Sequence, residues 1–155
     1  MEYKVKIIAE DGSEILFGHQ GVDDDKEVTD TIKKVDIMFD TIDDNVYSKS
    51  AGMLARMTIE GDVKTDGENT DQLIALFNWA KSEESEEQYR TVEVEIWNKT
   101  TRHRVYHFER MFVVDYEEIY DKSKKDNNQS EQDATKFILK MTQKENNFGK
   151  AETYK

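Results

Sequence analysis

Arg104-Val-Tyr-His-Phe-Glu-Arg-Met-Phe-Val-Val-Asp-Tyr-Glu-Glu-Ile-Tyr120 is the most β-prone part of the chain. Val, Phe and Tyr dominate it, and such side chains suit the half-buried, pleated surface of a sheet. The spacing predicts one long or bent strand, or two strands meeting near Arg110. Upstream, Val92, Val94 and Ile96 alternate with Glu93 and Glu95, so Thr91 to Trp97 reads as a strand turning at Asn98-Lys99-Thr100-Thr101. Downstream, residues 122–133 form a polar loop. Thr135 to Gln143 then sets Phe137, Leu139 and Met141 against Lys136, Ile138 and Lys140 as the final strand, and the stretch 146–155 reads as a loose tail.

The first half repeats the two-residue period. Tyr3, Val5, Ile7 and Ala9 alternate with Lys4 and Lys6, and Asp11-Gly12 supplies a turn that lets Glu14 to Phe17 pair back as a hairpin. A polar stretch, Gly21 to Asp30, reads as a surface loop. From Lys34 to Thr41, Val35, Ile37 and Phe39 share one face; later Met53, Ala55, Met57 and Ile59 share another. Between these strands lies residues 43–52, a polar hairpin arm carrying Val46 and Tyr47.

One segment has the helical period. Asn69 to Lys81 places Leu73, Leu76, Phe77 and Ala80 at three- and four-residue spacing, with Asn69 as N-cap and Gln72 in the capping-box position. The helix should lie against a sheet or a barrel mouth. Ser82 to Gln88, with four glutamates, is a solvated connection. Many short strands, one helix, no α/β alternation and no repeat predict a mainly β fold: a single domain, 1–155, built as an antiparallel barrel or sandwich with one flanking helix.

Composition bounds what such a domain does. The 155 residues carry 36% hydrophobic and 10% aromatic side chains, enough for a folded core, and a net charge of −12. That charge argues against binding nucleic acid phosphates or anionic membranes. Without cysteine there is no disulfide framework, thiolate metal site or cysteine nucleophile. With neither a signal-like start nor an apolar run near the roughly 20 residues of a spanning helix, the expectation is cytoplasmic synthesis and no export by the general secretory route. The absence of proline removes one means of blunting sheet edges, which must be closed, charged or used for pairing.

No chemistry-bearing constellation emerges. His103 and His107 on a strand are roughly 13 Å apart, too far to share an ion. Asp23-Asp24-Asp25 lacks the alternating ligands and closing glutamate of a calcium loop, His19 stands alone, and the adjacent Glu117 and Glu118 point to opposite faces of a strand. Neither a phosphate-binding glycine loop nor a nucleophile elbow is present. The expectation is no catalytic, cofactor or metal site.

The helix ending Phe77-Asn78-Trp79, the strand Val92-Glu93-Val94-Glu95-Ile96, the stretch Tyr106 to Glu118, a polar loop and Phe137-Ile138-Leu139-Lys140-Met141 follow one another in an order that resembles the tube-forming Hcp-like proteins of type VI secretion systems. It is similar also to the tail-tube proteins of contractile phages and phage-like injection systems. Phe108, Glu109, Val114, Tyr116 and Glu118 stand where that family carries Phe-Glu-x-x-x-Val-x-Tyr-x-Glu. The resemblance covers about half the chain well; the N-terminal half agrees in layout only. It implies a β-barrel with a flanking helix, homo-hexameric rings stacked into a hollow tube, and no enzymatic activity. Implied partners are further copies of the chain, with sheath, spike and effector proteins, or nucleic acid as luminal cargo in a phage; the particle would be assembled, or the protein secreted, without a signal peptide. The arm has two readings that fit this geometry: a ring-stacking contact, with Asp43, Asp44, Val46, Tyr47, Lys49 and Met53 at the interface, or an ordinary hairpin tip. Two other classes fit the residues: an acidic adaptor or immunity-type protein binding a basic partner, and a barrel holding a small apolar ligand.

Overall fold

The computed structural model describes residues 1–18, 31–41, 53–63, 67–82, 88–98, 101–121, 134–143 and 150–153. Alternating apolar residues form strands where the sequence places them: β1 (Glu2–Ile8), β2 (Glu14–Gly18), β3 (Ile32–Thr41), β4 (Met53–Asp62), β5 (Arg90–Asn98), β6 (Thr101–Asp121) and β7 (Ala134–Gln143); a further short strand, β8 (Lys150–Thr153), follows them. One helix, α1 (Gly67–Ala80), precedes β5. The strands make an antiparallel sheet in the order β2-β1-β5-β6-β7-β4-β3, with β8 added to β6. β8 pairs Lys150 to His107 and Thr153 to Arg104, extending the edge that β7 leaves at Gln143↔Met111. The final strand is therefore β8, inside the stretch read as a loose tail. The loops 21–30 and 122–133 lie outside the described residues.

The sheet rolls so that its inner face meets itself. Phe17 of β2 and Phe137 of β7 approach to 5.6 Å between ring centroids, and Phe39 of β3 meets Phe108 of β6 edge-on at 6.0 Å. Val5, Ile7, Ile15, Met57, Ile59, Val92, Val94, Leu139 and Met141 fill the space between them. These are the residues the period-two pattern assigns to the inside.

Glycines make two of these approaches feasible. A Cβ on Gly61 would stand 2.6 Å from the Phe137 ring, so the bare backbone lets that ring lie across its cross-strand neighbour. At Gly18, φ is +89° and a Cβ would fall 1.8 Å from the Tyr3 carbonyl oxygen. The Asp11-Gly12 turn is looser: Asp11 accepts hydrogen bonds from the Ser13 N–H at 2.9 Å and hydroxyl at 2.6 Å, which hold its carboxyl below the usual aspartate range.

The helix packs against β2 and β6 at one end of the rolled sheet. Its buried stripe is Leu73, Leu76 and Trp79; Phe77, expected inside, is half exposed. At 100° per residue only one of the two aromatic residues can face inward, and Trp79 does, donating its indole N–H to the Gln88 carbonyl at 2.8 Å. The helix also begins at Gly67, so Asn69 lies within its first turn instead of capping it. Gln72 serves the sheet: its carbonyl oxygen accepts the Leu16 N–H at 3.1 Å, tying α1 to β2.

Gly18→Ala should cost more than about 3 kcal/mol, because a backbone atom must move. Gly12→Ala, whose Cβ meets open space at the same φ, should cost about 1 kcal/mol from left-handed strain alone. Urea unfolding of the two variants measures the difference.

Candidate functional site

The stretch expected to carry the family pattern is a single strand of 21 residues, much longer than the flanking β5 and β7. It shifts register at three places: an extra residue at His103, another in the Glu109–Arg110 region, and Val114. Each bulge bends the strand and exchanges the faces of the residues beyond it. The inward set consequently runs Tyr106, Phe108, Met111, Val113, Tyr116 and Glu118, following the ladder partners Val94, Val92, Gln143, Met141, Leu139 and Phe137.

The middle bulge is the sharpest. Arg110 has φ of 55°, a left-handed conformation rare for a residue with a side chain. Its guanidinium lies 4.7 Å from the Tyr89 ring centroid, and Tyr89 meets Phe112 edge-on at 6.0 Å. On the other side Gln143, 1% exposed, donates its amide N–H to the Glu109 carbonyl at 3.0 Å. The bend is therefore held from both faces of the sheet.

Beyond the bend lies a cluster around Glu118. The Tyr116 hydroxyl donates to Glu118 Oε1 at 2.6 Å and the Tyr120 hydroxyl to Oε2 at 2.9 Å. Burial, then the bond to Glu118, pushes the Tyr116 phenol well above its ordinary range; for Tyr120 the hydrogen bond is the larger cause. Phe77 of α1 contacts Tyr116 edge-on at 6.5 Å, and Lys81 Nζ stands 5.5 Å from the Phe77 ring centroid.

The five pattern residues thus separate. Phe108 is core, Tyr116 and Glu118 are joined by a hydrogen bond, Glu109 is exposed beside His107 at 3.6 Å, and Val114 is turned outward by the bulge at Glu109–Arg110. Of the expected arm residues, Asp43, Asp44, Val46, Tyr47 and Lys49 lie outside the described residues. Met53 opens β4, opposite Thr41. Asp23, Asp24, Asp25 and His19 are likewise outside them. His103 and His107 stand on one strand, where His107 Nδ1 is 3.4 Å from Glu93 Oε2. Glu117 and Glu118 face opposite sides of the ladder.

The alternation did not anticipate Glu95, which is buried on the outer face. Arg102 Nη1 meets its Oε1 at 2.9 Å and Lys4 Nζ its Oε2 at 3.7 Å. The same face, farther along the sheet, carries a groove of about 400 Å³ lined by Asp36, Met38, Arg56, Val114, Asp115 and Lys140, among others. It lies outside the rolled sheet, not within it.

No protein-family model matches the sequence, and no curated protein does. Solved structures do match it. One is the crystal structure of an Hcp protein, with a TM-score of 0.59 over 99% of both chains at 11% identity. Another is the Hcp1 protein from the E. coli EAEC 042 pathovar, with a TM-score of 0.56 over 100% of both chains at 8% identity. The chain has the Hcp fold from end to end.

Arg110→Gly should leave stability within about 1 kcal/mol of the parent, since relief of the left-handed strain offsets the lost contact with Tyr89. Arg110→Val should cost about 2 kcal/mol or more, because a β-branched residue tolerates this conformation worst. Thermal unfolding of both variants checks the pair.

Proposed function

We propose that this chain is a non-enzymatic structural subunit of the inner tube of a contractile injection system, of the type VI secretion or phage-tail-like kind. It would form hexameric rings that stack head to tail around a lumen passing effector cargo. The observation that carries this reading is the end-to-end agreement of the fold with Hcp structures, at identities too low to reflect sequence similarity.

The physical character of the chain supports it. Contacts in which one surface meets a different surface of the next copy close into rings or extend into filaments, and both are needed for a stacked tube. In this reading residues 43–52 reach the adjoining ring, with Val46 and Tyr47 as apolar anchors, Asp43, Asp44 and Lys49 setting register and Met53 at the root. The net charge of −12 is compatible with an acidic lumen along which anionic cargo slides without sticking. Among the described residues no helix is long and apolar enough to cross a membrane.

Purified protein taken through a concentration series should give ring-sized particles by light scattering, and rings or stacked tubes by negative-stain microscopy. Deleting residues 43–52 should leave the rings and abolish the stacks. A compact monomer at every concentration would overturn the reading.

A further inference from the structure

Past Met111, the described residues pair with β6 on one side only. Its ladder with β5 ends at Arg90↔Met111, whereas β7 continues beside it to Asp121↔Ala134. Among the described residues no strand pairs with the other edge from Phe112 to Asp121. Open edges offer a ready row of backbone donors and acceptors, and proteins ordinarily blunt or cover them.

The side chains along this overhang point to an occupant. Glu118, its two oxygens held by Tyr116 and Tyr120, has no lysine or arginine paired with it among the described residues. Asp115, Glu117 and Asp121 are exposed on the same stretch, and the cations Lys136 and Lys140 belong to the opposite, β7 side. Tyr120 is 67% exposed, and on the adjoining helix Ile74 and Phe77 are 53% and 51% exposed. Phe77 touches Tyr116, so helix and strand edge are neighbours.

We infer that the open edge of β6 from Phe112 to Asp121, with Glu118 between its tyrosines and the exposed Ile74 and Phe77 of α1, is a strand-addition site. Its occupant is an extended segment of a partner protein carrying a lysine or arginine among apolar residues. The added backbone continues the ladder, which gives affinity, and alternate side chains are read by the flanking groups. Apolar ones pack on Ile74 and Phe77. The basic one meets a carboxylate fixed by two phenols and flanked by aromatic rings, where ion pairing and cation–π attraction act together.

A foreign segment fits better than β2 or β3 of a second copy. β2, Glu-Ile-Leu-Phe-Gly, carries no cation. In β3 the cations Lys33 and Lys34 already lie 3.7 Å from Asp62 and 3.9 Å from Asp36. The inference stands apart from tube formation and does not require it.

The test uses the full chain and a labelled, end-blocked peptide of alternating valine and lysine, read by fluorescence anisotropy. The controls are the same peptide N-methylated at alternate nitrogens, so that it cannot form a ladder, and a valine–glutamate version. Both controls should bind at least about tenfold more weakly, and Glu118→Gln should weaken the parent peptide about tenfold with its melting temperature unchanged. Tyr120→Phe, a change at an exposed side chain, should weaken it several-fold and serves as the deciding variant if Glu118→Gln fails to fold. Absence of binding, or binding indifferent to N-methylation or to these substitutions, overturns the proposal. So does light scattering in which Glu118→Gln abolishes self-association of the chain while the peptide does not compete, since the occupant is then a second copy.

Discussion

The left-handed turn at Arg110 is the constraint on which the remaining architecture depends. Among the described residues, β6 joins the two halves of the rolled sheet: β5 and β8 flank it before the turn, and β7 flanks it after. A straight strand would lay both halves in one plane and expose the faces that now meet. Left-handed backbone costs about 1–2 kcal/mol for a residue with a side chain. Here that is offset by contacts the turn itself creates: Arg110 over Tyr89, Tyr89 against Phe112, Met111 driven into the core, and the Glu109 carbonyl taken up by the buried Gln143 amide. Strain and compensation are parts of one local structure.

The rest of the packing follows from the direction the turn imposes. Once the halves face each other, Phe17 reaches Phe137 and Phe39 reaches Phe108, and Gly61 becomes necessary because Phe137 must lie flat across it. At the end where β6 overhangs β5, α1 supplies Leu73, Leu76 and Trp79 to the core, and Gln72 fastens it to β2. The helix covers the inner side of the overhang without pairing with its edge. A strand longer than its neighbour thus has two outcomes at once: a bent corner that rolls the sheet, and beyond it a margin unpaired among the described residues.

Much of this was legible in the sequence, and what was not has physical causes. Alternation identified β1 to β7 because each buries one face only, and the β-rich run around Arg110 was readable as a bent strand. Bulges are another matter. Strict alternation from Phe108 places Val114 with Tyr116 and Glu118, but the extra residue near Arg110 turns Val114 outward, 54% exposed, and a second extra residue at Val114 returns Tyr116 and Glu118 to the inner face. β8, Lys-Ala-Glu-Thr, is too short and polar to show a period, and it is held by the edge beside it. The choice of Trp79 over Phe77 for the buried stripe is made by tertiary packing that a helical period leaves open. The residues joined at Glu118 were visible as a spacing in Tyr-x-Glu, though their convergence on one carboxylate depends on side-chain geometry. The candidate arm, most of which lies outside the described residues, rests on its sequence alone.

Charge completes the argument, because it is not spread evenly. On the outer face of β1, β5 and β6 acidic groups are matched: Lys6 with Glu14, and Lys4 and Arg102 with Glu95. Exposed pairs of this kind contribute little stability, on the order of 0–1 kcal/mol each, but they neutralise the surface they occupy. The overhang of β6 is different, since Glu117, Glu118 and Asp121 have no ion-pairing partner among the described residues. The excess acidity of the chain is therefore carried in part by the same stretch that, among the described residues, has no strand on its second side. An unpaired edge invites any strand by backbone bonding alone; surrounding it with unmatched carboxylates and exposed aromatics repels acidic segments, this chain's own included, and favours basic ones. Selectivity at such an edge comes from repulsion as much as from attraction.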